Sequence, residues 1–225
     1  WVYPVAGVQG YDHFSAAVRD NFHSSPGLGL VGKRVMELAK VSPEDIDYVD
    51  LYSCFPSAVQ IAAQELGFPE ERQLTVTGGL TFGGGPLNNY VMHAVARTVE
   101  LLRETSGKRA FVSANGGNLY KHVHCVYSSQ APEDPFRYEN IQQEIDALPS
   151  RICLPEYDGK LEVESYSVMY TGEKPAVAHC AGITSDGARV WSNCYDEDVL
   201  DDMTLMEFCG RTAVVRRDGT IGNFS

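Results

Sequence analysis

The hydrophobic period of this chain changes near residue 130, so two architectures must share one polypeptide. Before that point, strand-like and helical periods alternate. The opening WVYPVAGVQG reads as an extended, buried strand. Ser24-Ser25-Pro26 supplies an N-cap and a first-turn proline, and Leu30, Val31, Arg34, Val35, Leu38 and Ala39 follow at helical spacing, predicting a helix to about Lys40. Ser42-Pro43-Glu44-Asp45 reads as a turn, and Ile46 to Tyr52 alternates like a strand. A second helix is expected from Pro56 to Leu66, stopped by Gly67. A glycine-dense loop, Gly78 to Gly85, opens a third helix from Pro86 to about Thr105, and Arg109 to Ser113 is a further strand. This order implies an α/β layered half-domain over residues 1–130.

After that point the punctuation changes. Ala131-Pro132-Glu133-Asp134-Pro135 breaks the chain and Tyr138 to Leu148 reads as a short acidic helix, so 131–150 is the expected linker. Residues 151–225 carry alternating runs (LEVESYSVMYT, PAVAHCAGIT, ARVWSNCY, RTAVVRRDGTI) separated by hairpin-like turns at Gly172-Glu173-Lys174-Pro175, Ser185-Asp186-Gly187 and Arg217-Asp218-Gly219. With one helical interruption, Asp198 to Phe208, they predict a small, mostly-β domain of OB-like barrel type.

Charge narrows the classes of partner. Among 225 residues, 18 Lys+Arg stand against 30 Asp+Glu, a formal charge of -12, and a nucleic-acid backbone would be repelled. A nucleotide-like cofactor, held by a few backbone N–H groups and one or two basic side chains, is still compatible. No apolar run reaches the roughly 20 residues of a membrane helix, and no signal-peptide pattern opens the chain, so no membrane partner and a cytoplasmic location are expected. Because the chain opens on Trp1 inside a strand-like run, it is expected to be a fragment. The cysteines are scattered without metal-ligand spacing and read as free thiols; no metal site is expected.

Three segments, YVDLYSCFPSAVQIAAQELG, GGLTFGGGPLNNYVMHAVA and FVSANGGNLYKH, resemble in order and spacing the successive active-site loops in the C-terminal half of thiolases. The resemblance covers roughly residues 1–128. In that family the first loop reads Asn-Glu-x-Phe, or His-Asp-Cys-Phe in the sterol-carrier type. The second holds Gly-His-Pro after a Gly-Gly pair, and the third Cys-x-Gly. Here the first is Tyr52-Ser53-Cys54-Phe55, so Cys54 matches the sterol-carrier cysteine while Tyr52 and Ser53 replace its His and Asp. The second is Gly84-Gly85-Pro86, with Gly85 where the family has His, and the third is Ala114-Asn115-Gly116, with no Cys at the acid/base position.

The resemblance implies a thiolase-like half-domain handling coenzyme A or acyl-CoA as substrate, with no covalently bound cofactor. It is similar to bacterial proteins labelled acetyl-CoA acetyltransferases that carry an extra C-terminal β domain, and it implies Claisen-type acyl transfer. The implied partners are acyl-CoA, an N-terminal thiolase half of the same protein bearing the nucleophile, and a second copy in a homo-oligomer. The changes at Gly85 and Ala114 remove an oxyanion donor and a proton shuttle, so the chain alone is expected to be inert in thiolysis. Two alternatives stand beside acyl transfer: a non-catalytic acyl-CoA-binding or scaffolding protein, and a Cys54-dependent thioester hydrolase.

Cys54 and His122 are the candidate catalytic residues, with Tyr52, Ser53, Phe55, Gly84, Gly85, Asn115 and Gly116 as candidate substrate contacts. Cys54 reads either as a thiol activated by a nearby His or as a small buried hydrophobe at a strand end. His122 and His124 share one strand face; His122 reads as a substrate contact or a strand residue, and His124 as a partly exposed strand residue. The glycine clusters read as a phosphate cradle or as cavity lining, Asn115 as a replacement hydrogen-bond donor, and Gly116-Gly117 as a sharp turn.

Overall fold

Proline at the first position and a left-handed residue after the last set the bounds of the two long helices nearest the N-terminus. Helix α1 spans Pro26–Ala39 and ends on Lys40 at φ 54°, and α2 spans Pro56–Leu66 and ends on Gly67 at φ 73°. Both match the expected bounds closely. In the computed structural model, which describes Trp1–Ser225, the chain divides into two units: Trp1–Phe14 with His23–Leu148, and Ser15–Phe22 with Pro149–Ser225.

The first unit is built on a five-stranded sheet in the order β2-β3-β4-β1-β5. Its strands are β1 (Tyr3–Tyr11), β2 (Tyr48–Asp50), β3 (Arg109–Gly116), β4 (Lys121–Ser128) and β5 (Arg137–Asn140). The β3–β4 hairpin is antiparallel, β4 is antiparallel to β1, and β2 and β5 lie parallel to β3 and β1. Helices α1 and α2 cover one face, where Ala6, Val8, Val31, Val35, Leu51, Ala63, Phe111 and Val126 are fully buried in one cluster. Burying a side chain of this kind contributes about 1.5–3 kcal/mol, which is why the periodic positions of α1 were legible.

Three expectations change. The strand predicted from Ile46 to Tyr52 contracts to Tyr48–Asp50, because beyond Asp50 the backbone donors turn away: Leu51 N–H goes to Leu74 O and Tyr52 N–H to Ser113 Oγ. The third long helix starts late. A one-turn α3 (Leu80–Gly83) and a 3₁₀ turn precede α4 (Tyr90–Glu104), since Pro86 at ψ 55° and Leu87 at φ 53° are not helical. The stretch 131–150 is also not a linker throughout. β5 pairs with β1, a short α5 (Gln142–Asp146) replaces the longer acidic helix expected there, and Ile141 and Ile145 enter the apolar cluster of the first unit.

The second unit holds a six-stranded sheet in the order β11-β10-β7-β8-β9-β6. The strands are β6 (Cys153–Leu154), β7 (Gly159–Thr171), β8 (Lys174–Ile183), β9 (Arg189–Cys194), β10 (Thr212–Val215) and β11 (Ile221–Gly222), with α6 (Glu197–Leu205) between β9 and β10. Register shifts at Val163/Ser165 and Met169/Tyr170 bend the long β7. The sheet curls until Asn193 of β9 bridges Thr220 beside β11 and its N–H donates to Gly219 O at 2.9 Å. This half-barrel is the OB-like domain expected from the strand pattern. No helix is long and apolar enough to cross a membrane.

Candidate functional site

The loop that follows β2 is fastened to the 75–90 region by one carboxylate. Asp50 is fully buried; its Oδ2 accepts from Thr75 Oγ1 (2.9 Å), Val76 N–H (3.0 Å) and Thr77 Oγ1 (3.3 Å), and its Oδ1 accepts from Tyr90 OH (3.1 Å). A buried charge needs such a set of donors, and this one ties β2, the segment 75–77 and the start of α4 together. Tyr52 stacks edge-on to Tyr90 with centroids 5.5 Å apart, and burial raises both phenols above their ordinary value, so both stay neutral donors. Ser53 Oγ accepts from Leu80 N–H at 3.0 Å. That bond straps the glycine-rich loop onto the first loop, and it requires Gly79 at φ 76°, where a Cβ would stand 2.5 Å from Ser53 Oγ.

Cys54 follows Ser53 and precedes Phe55, the N-cap of α2. Asn115 Nδ2 donates to Cys54 Sγ at 3.5 Å, joining the first and third loops. Phe55 is 68% exposed, and side chains added at Gly84 or Gly85 would meet nothing within 4 Å, so this rim is open. Gly116 ends β3 against the stem of Lys121. The turn conformation belongs to Gly117, at φ 60°, whose missing Cβ leaves room for the Tyr120 ring. Burial raises the thiols of Cys125, Cys180 (to about 12), Cys194 and Cys209 (to about 11), which makes them poor nucleophiles. Cys54 is the cysteine that lies among the three loops.

Both strand histidines are more buried than expected. His124, predicted to be partly exposed, is 1% exposed, edge-on to Phe111 with centroids 5.1 Å apart; the α1 face covers it, with Gly32 opposite its Nδ1. His122, read as a substrate contact or a strand residue, has no exposed surface. Its Nε2 lies 3.0 Å from Asp12 Oδ2 and 3.2 Å from Ser25 Oγ; Ser25 Oγ donates to Asp12 Oδ2 at 2.7 Å, and Gly27 N–H donates to Asp12 Oδ1 at 3.1 Å. Burial alone would raise the Asp12 carboxyl. Hydrogen bonds from His122 and Ser25, the electrostatic interaction with the imidazole and the Gly27 N–H outweigh it and hold Asp12 below the usual carboxylate range. Sequence reading missed Asp12 and Ser25. Lying 110 and 97 positions from His122, they have no local spacing that marks them.

The arrangement offers a thiol, an amide and the neutral Tyr52 phenol around an open rim, with the buried Tyr90 and an Asp–His pair behind them. No three His, Cys, Asp or Glu side chains converge as a metal site.

Comparison with known proteins bears on this geometry. Residues 140–220 match the family model for the thiolase-like protein type 1 additional C-terminal domain. The fold is similar to the crystal structure of a monomeric SCP2-thiolase like protein type 1 (STLP1) from Mycobacterium smegmatis, with a TM-score of 0.87 and 28% identity, over 98% of this chain. The chain is thiolase-like. It spans 49% of the length of the Mycobacterium smegmatis protein. A second solved structure, AbyA1, a tetronic acid condensing enzyme, aligns with a TM-score of 0.40 and 12% identity over 79% of this chain and 60% of its own. No curated protein matches the sequence.

Proposed function

We propose that this thiolase-like chain forms the C-terminal loop cluster of an acyl-CoA-handling protein, with Cys54 as the thiol at the reacting thioester. The observation that carries the reading is the 3.5 Å contact between Asn115 and Cys54, which joins the first and third loops at the rim opened by Gly84 and Gly85. Tyr52, Ser53, Phe55 and Gly116 surround that rim as contacts for an acyl-CoA. Acyl transfer of the acetyl-CoA acetyltransferase type would draw its nucleophile from an N-terminal thiolase half. Oxyanion donors usually supply the largest catalytic contribution, and Gly85 provides no side-chain donor. That substitution favours a second reading, a protein that binds acyl-CoA without turning it over.

Thioester absorbance with acetoacetyl-CoA plus CoA, followed for the protein that carries this chain and for Cys54→Ser, separates the two. Turnover abolished by the substitution supports acyl transfer through Cys54. CoA binding without turnover supports the binding protein, and neither binding nor turnover sinks both.

A further inference from the structure

Asn115 and His122 are register partners across β3 and β4, so their side chains project from the same face. On that face Asn115 Oδ1 and His122 Nδ1 are both buried, and both lack a hydrogen-bond partner. The other side of the imidazole fixes its tautomer. Ser25 gives its only hydroxyl hydrogen to Asp12 Oδ2, and the ionised Asp12 has none to give, so the hydrogen between His122 and Asp12 sits on Nε2. Neutral His122 therefore has an acceptor at Nδ1. Two buried acceptors, Nδ1 and Asn115 Oδ1, occupy neighbouring positions without a donor, and an unpaired buried acceptor is destabilising. One proton on Nδ1 turns them into a donor and an acceptor. The far end of Asn115 suits the same state, since Nδ2 already points at Cys54 Sγ as it would toward a thiolate.

We propose that the Asp12–His122 pair takes up the proton of the Cys54 thiol, with Asn115 bridging the resulting thiolate and imidazolium. The S–H bond breaks with its electron pair left on sulfur, and an N–H bond forms on the Nδ1 lone pair. Cys54, His122 and Asp12 together keep one negative charge. Asn115 Nδ2 then donates to sulfur while Oδ1 accepts from Nδ1, and every buried atom in the chain from Cys54 to Asp12 has a partner.

The surroundings act in the same sense. Cys54 lies just before the N-cap of α2, where an anion is favoured. Glu65 of α2, whose Oε1 accepts from Ser25 N–H at 2.9 Å, adds negative charge on the imidazolium side. His124, 6.5 Å away between centroids, is kept neutral by burial, and burial keeps Tyr52 neutral beside the sulfur. Asp12, His122 and Asn115 are thus positioning residues, and the proposal rests on Cys54 being the thiol of the proposed site.

The test is iodoacetamide alkylation of Cys54 in the whole chain, resolved by peptide mass spectrometry between about pH 5 and 9, with acyl-CoA binding measured on the same samples. Wild type is compared with Asp12→Asn, His122→Gln and Asn115→Ala, and Cys153, in the other unit, serves as reference. Wild-type Cys54 should react about tenfold faster near pH 7 than in each variant, the difference closing as pH rises, while Cys153 stays unchanged. Coincident Cys54 profiles in wild type and variants of unchanged thermal midpoint overturn the proposal. Should Asp12→Asn or His122→Gln unfold, Asn115→Ala decides alone, because that side chain is only half-buried. A preserved alkylation contrast without acyl-CoA binding removes the proposed function and leaves the proton pair standing; binding without the contrast does the reverse.

Discussion

His124 has no surface to speak of and no partner at either ring nitrogen, so the fold holds it in its neutral form. Burial, and secondarily the electrostatic interaction with His122, lowers it well below the ordinary value of 6.5. The unfolded chain therefore binds a proton at this residue in a range where the native chain does not, and stability must fall as pH drops below about 6.5. The slope should reach at most about 1.4 kcal/mol per pH unit from this group, and His124→Leu should flatten it in denaturant titrations between about pH 6.5 and 5. An unchanged slope in the variant would locate the acid sensitivity elsewhere. At the rim, Gly84 and Gly85 should behave oppositely although neither is crowded. Gly84→Ala carries a side chain into φ 71° and should cost about 1–2 kcal/mol, whereas Gly85 lies outside the left-handed region and Gly85→His should shift stability by less than about 0.5 kcal/mol. If the missing oxyanion donor limits turnover, Gly85→His raises it in the acetoacetyl-CoA assay. Motif matching could reach Cys54, Asn115 and Gly85, since each sits in a loop with a recognisable order. Asp12 and Ser25 were beyond it, because side chains brought together by sheet pairing leave no mark in local spacing.

At the scale of elements, the periodic helices were legible because their stripes face one sheet, and Gly67 marked the end of α2 through its left-handed backbone. Among the elements that eluded the sequence is β5. Its residues, Arg137 to Asn140, are polar and mostly exposed, and only their pairing with β1 makes them a strand. Short polar edge strands of this kind carry no alternation to read. The short β2 survives for a different reason, the donors gathered on Asp50. Asp50→Ala would leave Tyr90 OH, Val76 N–H and the two threonine hydroxyls competing for partners in a buried site. The expected loss is about 3 kcal/mol or more, with limited proteolysis shifting to the 75–89 region before global unfolding. Cleavage that tracks global unfolding alone would mean that the loops do not depend on this carboxylate.

The second unit is discontinuous in sequence, and one arginine explains why. Arg189 has no exposed surface, pairs with Glu164 through Nε at 2.6 Å and Nη2 at 2.7 Å, stacks over the Phe22 ring at 4.2 Å, and donates to the carbonyls of Ala16, Ala17, Arg19 and Asp20. Those carbonyls all come from the segment Ser15–Phe22, which leaves the first unit after Phe14 and re-enters it at His23. Arg151 adds contacts to the same segment, through Asp20 O and, at 3.4 Å, the Asp20 carboxylate. A guanidinium this deep tolerates burial only while its donors are matched. The family match, to residues 140–220, does not include Ser15–Phe22, yet the barrel's buried charge depends on it. Residues 149–225 produced alone should therefore be about 3–5 kcal/mol less stable than the same unit within the chain, because Arg189 loses its carbonyl partners. Fusing residues 15–22 to that piece should restore most of the loss. Arg189→Met with Glu164→Gln removes the stranded charge and should narrow the gap without the segment. Equal thermal unfolding of the piece with and without residues 15–22 would show that the segment follows the barrel and does not support it.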